Sequence, residues 1–141
     1  MPPPIEDYAL LGDTQTGALV SKAGSIDWLC LPRFDSAAPF ASLLGDEGNG
    51  RWQIAPSGDV RSTRRYRGDT LVLETDFDTA EGSIRLADFM PLEAPRRTSC
   101  VWLWAAAAEC ACTMDVRLRT AGPNPLPVAV TSITEGREPN A

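Results

Sequence analysis

The chain's 141 residues allow one domain with a real core, not two large ones. Its composition, 43% hydrophobic and 23% charged, is ordinary for a soluble globular domain. A net charge of −6 argues against the basic footprint of a nucleic-acid binder.

No stretch approaches the roughly 18 apolar residues needed to cross a bilayer. The nearest run, Val101 to Ala108, is short and is closed by Glu109. The start, MPPPIEDYALLG, lacks the basic head and apolar centre of an export signal, so no membrane partner and a cytoplasmic location are expected. Cys30, Cys100, Cys110 and Cys112 then read as free thiols rather than a disulfide framework. The chain has no histidine. That weakens a metal site built on the Cys110/Cys112 pair and removes Ser-His-Asp and Cys-His catalysis. No cofactor is implied.

Taken in order, Pro2 to Pro4 form an extended lead-in. Tyr8 to Leu11 and Gly17 to Lys22 read as short strands, and Ala23-Gly24-Ser25 turns the chain into a third, Ile26 to Leu31. Strict alternation would place Ile26, Trp28 and Cys30 on one face and Asp27, Leu29 and Leu31 on the other. Pro32 ends that ladder, and Arg33-Phe34-Asp35-Ser36 follows as a loop. Phe40 to Leu44 suits one helical turn, and Arg51 to Ile54 resumes as a strand. The basic run Arg64-Arg65-Tyr66-Arg67 reads as a solvated strand edge, where positive charge discourages sheet-to-sheet association. Thr70 to Asp78 shows the clearest period of two, with Leu71, Leu73, Thr75 and Phe77 on one face. Ser83 to Phe89 returns, with Ile84 and Leu86 set against Arg85 and Asp88. Short strands and frequent turns predict an all-β fold, an antiparallel β-sandwich over residues 5–95.

Beyond Pro95 the character changes. Residues 1–95 carry a net charge of −7 and residues 96–141 a net of +1. Only Met114 to Arg119 reads as a strand again, and residues 121–141 are expected to form a disordered tail.

Paired carboxylates are the chemistry to test in an acidic β protein, because sugar hydrolysis uses two. Asp27 and Asp35 flank the motif GSIDWLCLPRFDS, but a strand and a turn separate them. Trp28 could stack on a sugar ring, or it could be a core tryptophan. Arg33 and Asp35 could face a partner, since loops leaving a rigid sheet often carry function, or they could pair and cap locally.

The stretch IEDYALLGDTQTGALVSKAGSIDWLCLPRFDSAAPFASLLGDEGNGRWQIAP, Ile5 to Pro56, strongly resembles the N-terminus of bacterial glycoside hydrolases of family fifteen, the glucoamylase-like and trehalase-like enzymes. RRYRGDTLVLETDF and IRLADFMP continue the likeness. The resemblance implies an N-terminal β-sandwich followed by an (α/α)6 barrel that holds the catalytic glutamates. None of this chain's acids falls on a catalytic position of that family, so no catalytic residue is assigned. The resemblance implies an incomplete, non-catalytic N-terminal domain of an enzyme acting on α-glucosidic bonds of trehalose or glucans, inactive without the barrel. Trp28, Arg33, Phe34 and Asp35 become candidates for a wall facing the sugar or the barrel. The alternatives are a free-standing carbohydrate-binding or interaction module, and a small enzyme using Asp27 and Asp35. From Arg96 to Thr113 the likeness is lost, then returns at MDVRLR. The segment 96–120 is read either as translated out of frame or as part of a natural short homologue.

Overall fold

A computed structural model describes residues 2–92, 104–107 and 112–117. The tail 121–141, Cys100 and Cys110 lie outside the described residues. The fold is all-β, with two antiparallel sheets face to face. The strands are β1 (Tyr8–Gly12), β2 (Gly17–Ser21), β3 (Ser25–Leu29), β4 (Arg51–Pro56), β5 (Arg61–Tyr66), β6 (Leu73–Thr79), β7 (Gly82–Asp88), β8 (Trp104–Ala107) and β9 (Cys112–Arg117). The first sheet runs β1-β2-β3-β4-β9 and the second β5-β6-β7-β8. Single 3-10 turns cover Ile5–Asp7, Ser42–Leu44 and Glu47–Asn49. β8 and β9, both from the poorly matching 96–120 segment, extend one sheet each.

Alternation sorts the faces. Leu11, Ala18, Val20 and Ile26 of the first sheet meet Leu73 of the second in one buried cluster, with Phe40 and Met90. Ile54 meets Phe77 and Leu86 in another, and Trp52 packs against both. On β6, Leu73, Thr75 and Phe77 point inward as the period of two requires. Leu71 was expected to share that face. It lies before β6, in the turn where Thr70 Oγ1 donates to the Arg67 carbonyl, and is exposed. Asp88 also departs from expectation. It has the same parity as Ile84 and Leu86 and follows them into the interior, where it is 2% exposed.

The β2–β3 turn shows why one glycine is required. Gly24 has φ of +72°, and a Cβ there would lie 2.5 Å from the Ile54 carbonyl oxygen and 3.0 Å from the Phe77 ring.

Candidate functional site

β3 does not alternate strictly. Ala18 pairs with Leu29 and Leu19 with Trp28, but Val20 pairs with Ile26. Asp27 is the extra residue of a β-bulge, a feature that re-aims side chains. The bulge overturns the simple face assignment. Ile26 and Leu29, three apart, both reach the core cluster. Trp28 instead sits opposite Leu19, half-buried, on the outer face of the first sheet, and belongs to neither core cluster.

Asp27 is 7% exposed and, among the described residues, held by hydroxyls alone. Its Oδ1 accepts from Ser25 Oγ and, at 2.9 Å, from Ser42 Oγ; its Oδ2 accepts from Tyr8 Oη at 2.8 Å. Among the described residues no cation pairs with it. Three donors from β1, β3 and the Ser42–Leu44 turn stand in for water around a carboxylate that would otherwise be costly to bury. Burial pushes the Tyr8 phenol well above its ordinary pKa, and the bond to Asp27 and its charge add to the shift.

Above Asp27 lies a cleft of about 610 Å³, bounded by Ser42, Glu47, Arg51 and Arg117 and walled by Pro2 and Pro3. Arg51 and Arg117 are direct register partners on β4 and β9, a like-charge pair that would repel if bare. Glu47 bridges both, 3.0 Å to each guanidinium, and Asp115 bridges both at 3.0 and 3.2 Å. The Arg51 hydrogen bond is the first cause holding the Asp115 carboxyl below its usual range. The ring of four charges ties β9 to the rim of the cleft.

The other sequence candidates sit in the loop that leaves β3. Arg33 Nε lies 3.2 Å from Asp35 Oδ1, with both side chains mostly in solvent. The Arg33 amide donates to Ser36 Oγ and the Ser36 amide to the Arg33 carbonyl, so these residues close a local turn. Phe34 is 65% exposed. Its ring reaches back over β2, where a Cβ on Gly17 would meet Phe34 Cε1 at 3.3 Å and Leu10 Cδ1 at 3.2 Å. Leu10, Leu19 and Trp28 form a register row across β1, β2 and β3, and Phe34 covers one end of it. The structure thus brings Trp28 and Phe34 to one apolar outer face. It does not bring Asp27 and Asp35 together: one is buried among hydroxyls and the other is exposed on Arg33.

The basic run is occupied internally. Arg65 and Arg67 bind Glu74, Arg65 and Arg85 bind Asp76, and Arg64 donates to the Val20 carbonyl. Among the described residues, no group of three or more His, Cys, Asp or Glu is placed to hold a metal ion. No helix among them is long and apolar enough to cross a membrane. Sequence reasoning missed Tyr8, Ser42, Glu47, Arg51 and Arg117. The hydroxyl-rich neighbourhood of Asp27 was visible only in Ser25.

Fold and face together define an antiparallel β-sandwich domain with a mixed polar and apolar outer face on its first sheet. The chain belongs to the family described as trehalase-like, N-terminal, whose profile matches residues 1–122. It is 44% identical over 87 residues to the trehalases of Mycolicibacterium smegmatis and Mycobacterium tuberculosis, covering 61% of this chain and 13% of each of those proteins. It is 42% identical over 93 residues to the trehalase of Thermoplasma volcanium, covering 63% of this chain and 15% of that protein. The match therefore spans less than a sixth of these relatives' length. No solved structure gave a significant match.

Proposed function

We propose that this chain is the N-terminal, non-catalytic sandwich of a glycoside hydrolase acting on α-glucosidic bonds, with the catalytic barrel supplied by sequence beyond it. The observation that carries this reading is the small share of the trehalases that the match occupies, 13–15%. The state of its acids supports it. Asp27 is enclosed by Tyr8, Ser25 and Ser42, and Asp35 is paired with Arg33 on the surface, so these two carboxylates do not flank a common space as glycoside hydrolysis requires. In this reading Trp28, Arg33, Phe34 and Asp35 form the wall turned toward the catalytic domain and its sugar.

The test is a chimera in which residues 1–92 replace the matching part of the M. smegmatis trehalase. The chimera should hydrolyse trehalose, and Phe34→Ala should reduce that activity without unfolding the sandwich. An active chimera indifferent to Trp28→Ala, Phe34→Ala and Arg33→Ala would remove the wall from the account. A chimera that folds but is inactive would count against interchangeability of the domain. The half-buried Trp28 on the outer face of the first sheet favours one second reading, a carbohydrate-binding module. Calorimetric sugar binding by the chain alone, lost in Trp28→Ala, would select it.

A further inference from the structure

β1 is an edge strand of the first sheet and β5 an edge strand of the second. An open edge presents unpaired amides and carbonyls to any strand that approaches. At the middle of β1 that does not happen. Tyr66, the last residue of β5, places its phenol on the edge: the hydroxyl donates to the Leu10 carbonyl at 2.8 Å and accepts from the Leu10 amide at 3.0 Å. In a hydrogen-bonded antiparallel pair, each residue receives the other's N–H and gives its own. One hydroxyl, both donor and acceptor, imitates that exchange at Leu10.

We propose that the open edge of β1 is a self-pairing surface for a second copy of this chain, and that the Tyr66 hydroxyl keeps it closed. A second copy is the fitting occupant because the edge is self-complementary about Leu10. Two β1 strands related by a two-fold axis would place Leu10 against Leu10, and each would give its amide to the other's carbonyl. Such a contact closes on itself rather than propagating. The surface beside it is apolar, with Leu10 51% and Phe34 65% exposed, so pairing would also cover apolar area. Among the described residues, no strand of the first sheet lies beyond β1.

Tyr66→Phe removes only the hydroxyl and leaves the ring. Sedimentation should show a monomer for the unmodified chain and a dimer for Tyr66→Phe at the same concentration. In dilute Tyr66→Phe, below dimerisation, the Leu10 amide should exchange with solvent roughly tenfold or more faster than in the unmodified chain, since it loses its acceptor. The double variant Tyr66→Phe/Leu10→Pro should be monomeric again. Proline is tolerated on an edge strand where its missing N–H faces outward, and it removes the central donor. A Tyr66→Phe variant that sediments as a monomer overturns the proposal, as does a double variant that still dimerises. If Tyr66→Phe does not fold, exchange in the unmodified chain decides: a Leu10 amide as fast as an unbonded one overturns the closed edge, and a protected one upholds it.

Discussion

The phenol of Tyr8 donates to the carboxylate of Asp27 across 2.8 Å, joining edge strand β1 to the bulge of β3. Among the described residues Asp27 has no cation, so each hydroxyl carries a large share of its stabilisation. Tyr8→Phe should destabilise the fold by about 1–3 kcal/mol, the range for a hydrogen bond to a buried charged group. Urea unfolding checks this. An unchanged midpoint with an unchanged slope would mean that Asp27 does not depend on Tyr8.

Asp88 predicts a pH dependence of opposite sign to the usual carboxylate. Burial pushes its carboxyl up to about 7, and its Oδ2 has no hydrogen-bond partner among the described residues. In the unfolded chain it returns to an ordinary value near 4. The unfolded state therefore loses this proton at lower pH than the folded state does. The Asp88 contribution to stability falls as pH rises from about 4 to about 7, then levels off. Glu74, Asp76 and Asp115 are held below their ordinary values by arginines, so their contributions are lost only on acidification below about 4. Melting curves should fall between pH 5 and 7.5, and Asp88→Asn should flatten that fall. A profile equally steep in Asp88→Asn contradicts the assignment.

Glu47 separates two facing arginines. Glu47→Gln leaves Arg51 and Arg117 opposed with Asp115 alone between them. The expected loss is about 0.5–1 kcal/mol, because these side chains are partly exposed. It should shrink as salt is raised from 0.02 to 0.5 M, ~20 to ~4 Å of Debye length. A loss independent of salt would point to packing rather than charge.

Gly24→Ala should be among the most damaging single substitutions in the first sheet. The new methyl would meet both the backbone of β4 and the Phe77 ring of the opposite sheet, at a positive φ. A loss of roughly 2 kcal/mol or more is expected. A near-neutral result would mean the β2–β3 turn re-forms elsewhere.

Much of the fold was legible wherever alternation was clean. β6 announces itself through Leu73, Thr75 and Phe77, and β1 to β3 through turns at Gly12 and Gly24. β5 was legible only as a charged edge, because its inward positions carry Ser62 and Arg64 rather than apolar residues. β8 was invisible, since an alanine run has no polar partner to set a period. The outer face was less legible than the fold. A single bulge at Asp27 shifts Trp28 and Leu29 to the faces that alternation denied them. Arg51 and Arg117 meet only through the pairing of β4 with β9, a long-range register that local sequence does not encode.

The most direct test is glucose release from trehalose by the purified chain. The proposed non-catalytic sandwich predicts no turnover above buffer, at any pH where the fold persists. Sustained release that disappears in Asp27→Asn or Asp35→Asn would contradict it and make this chain an enzyme in its own right.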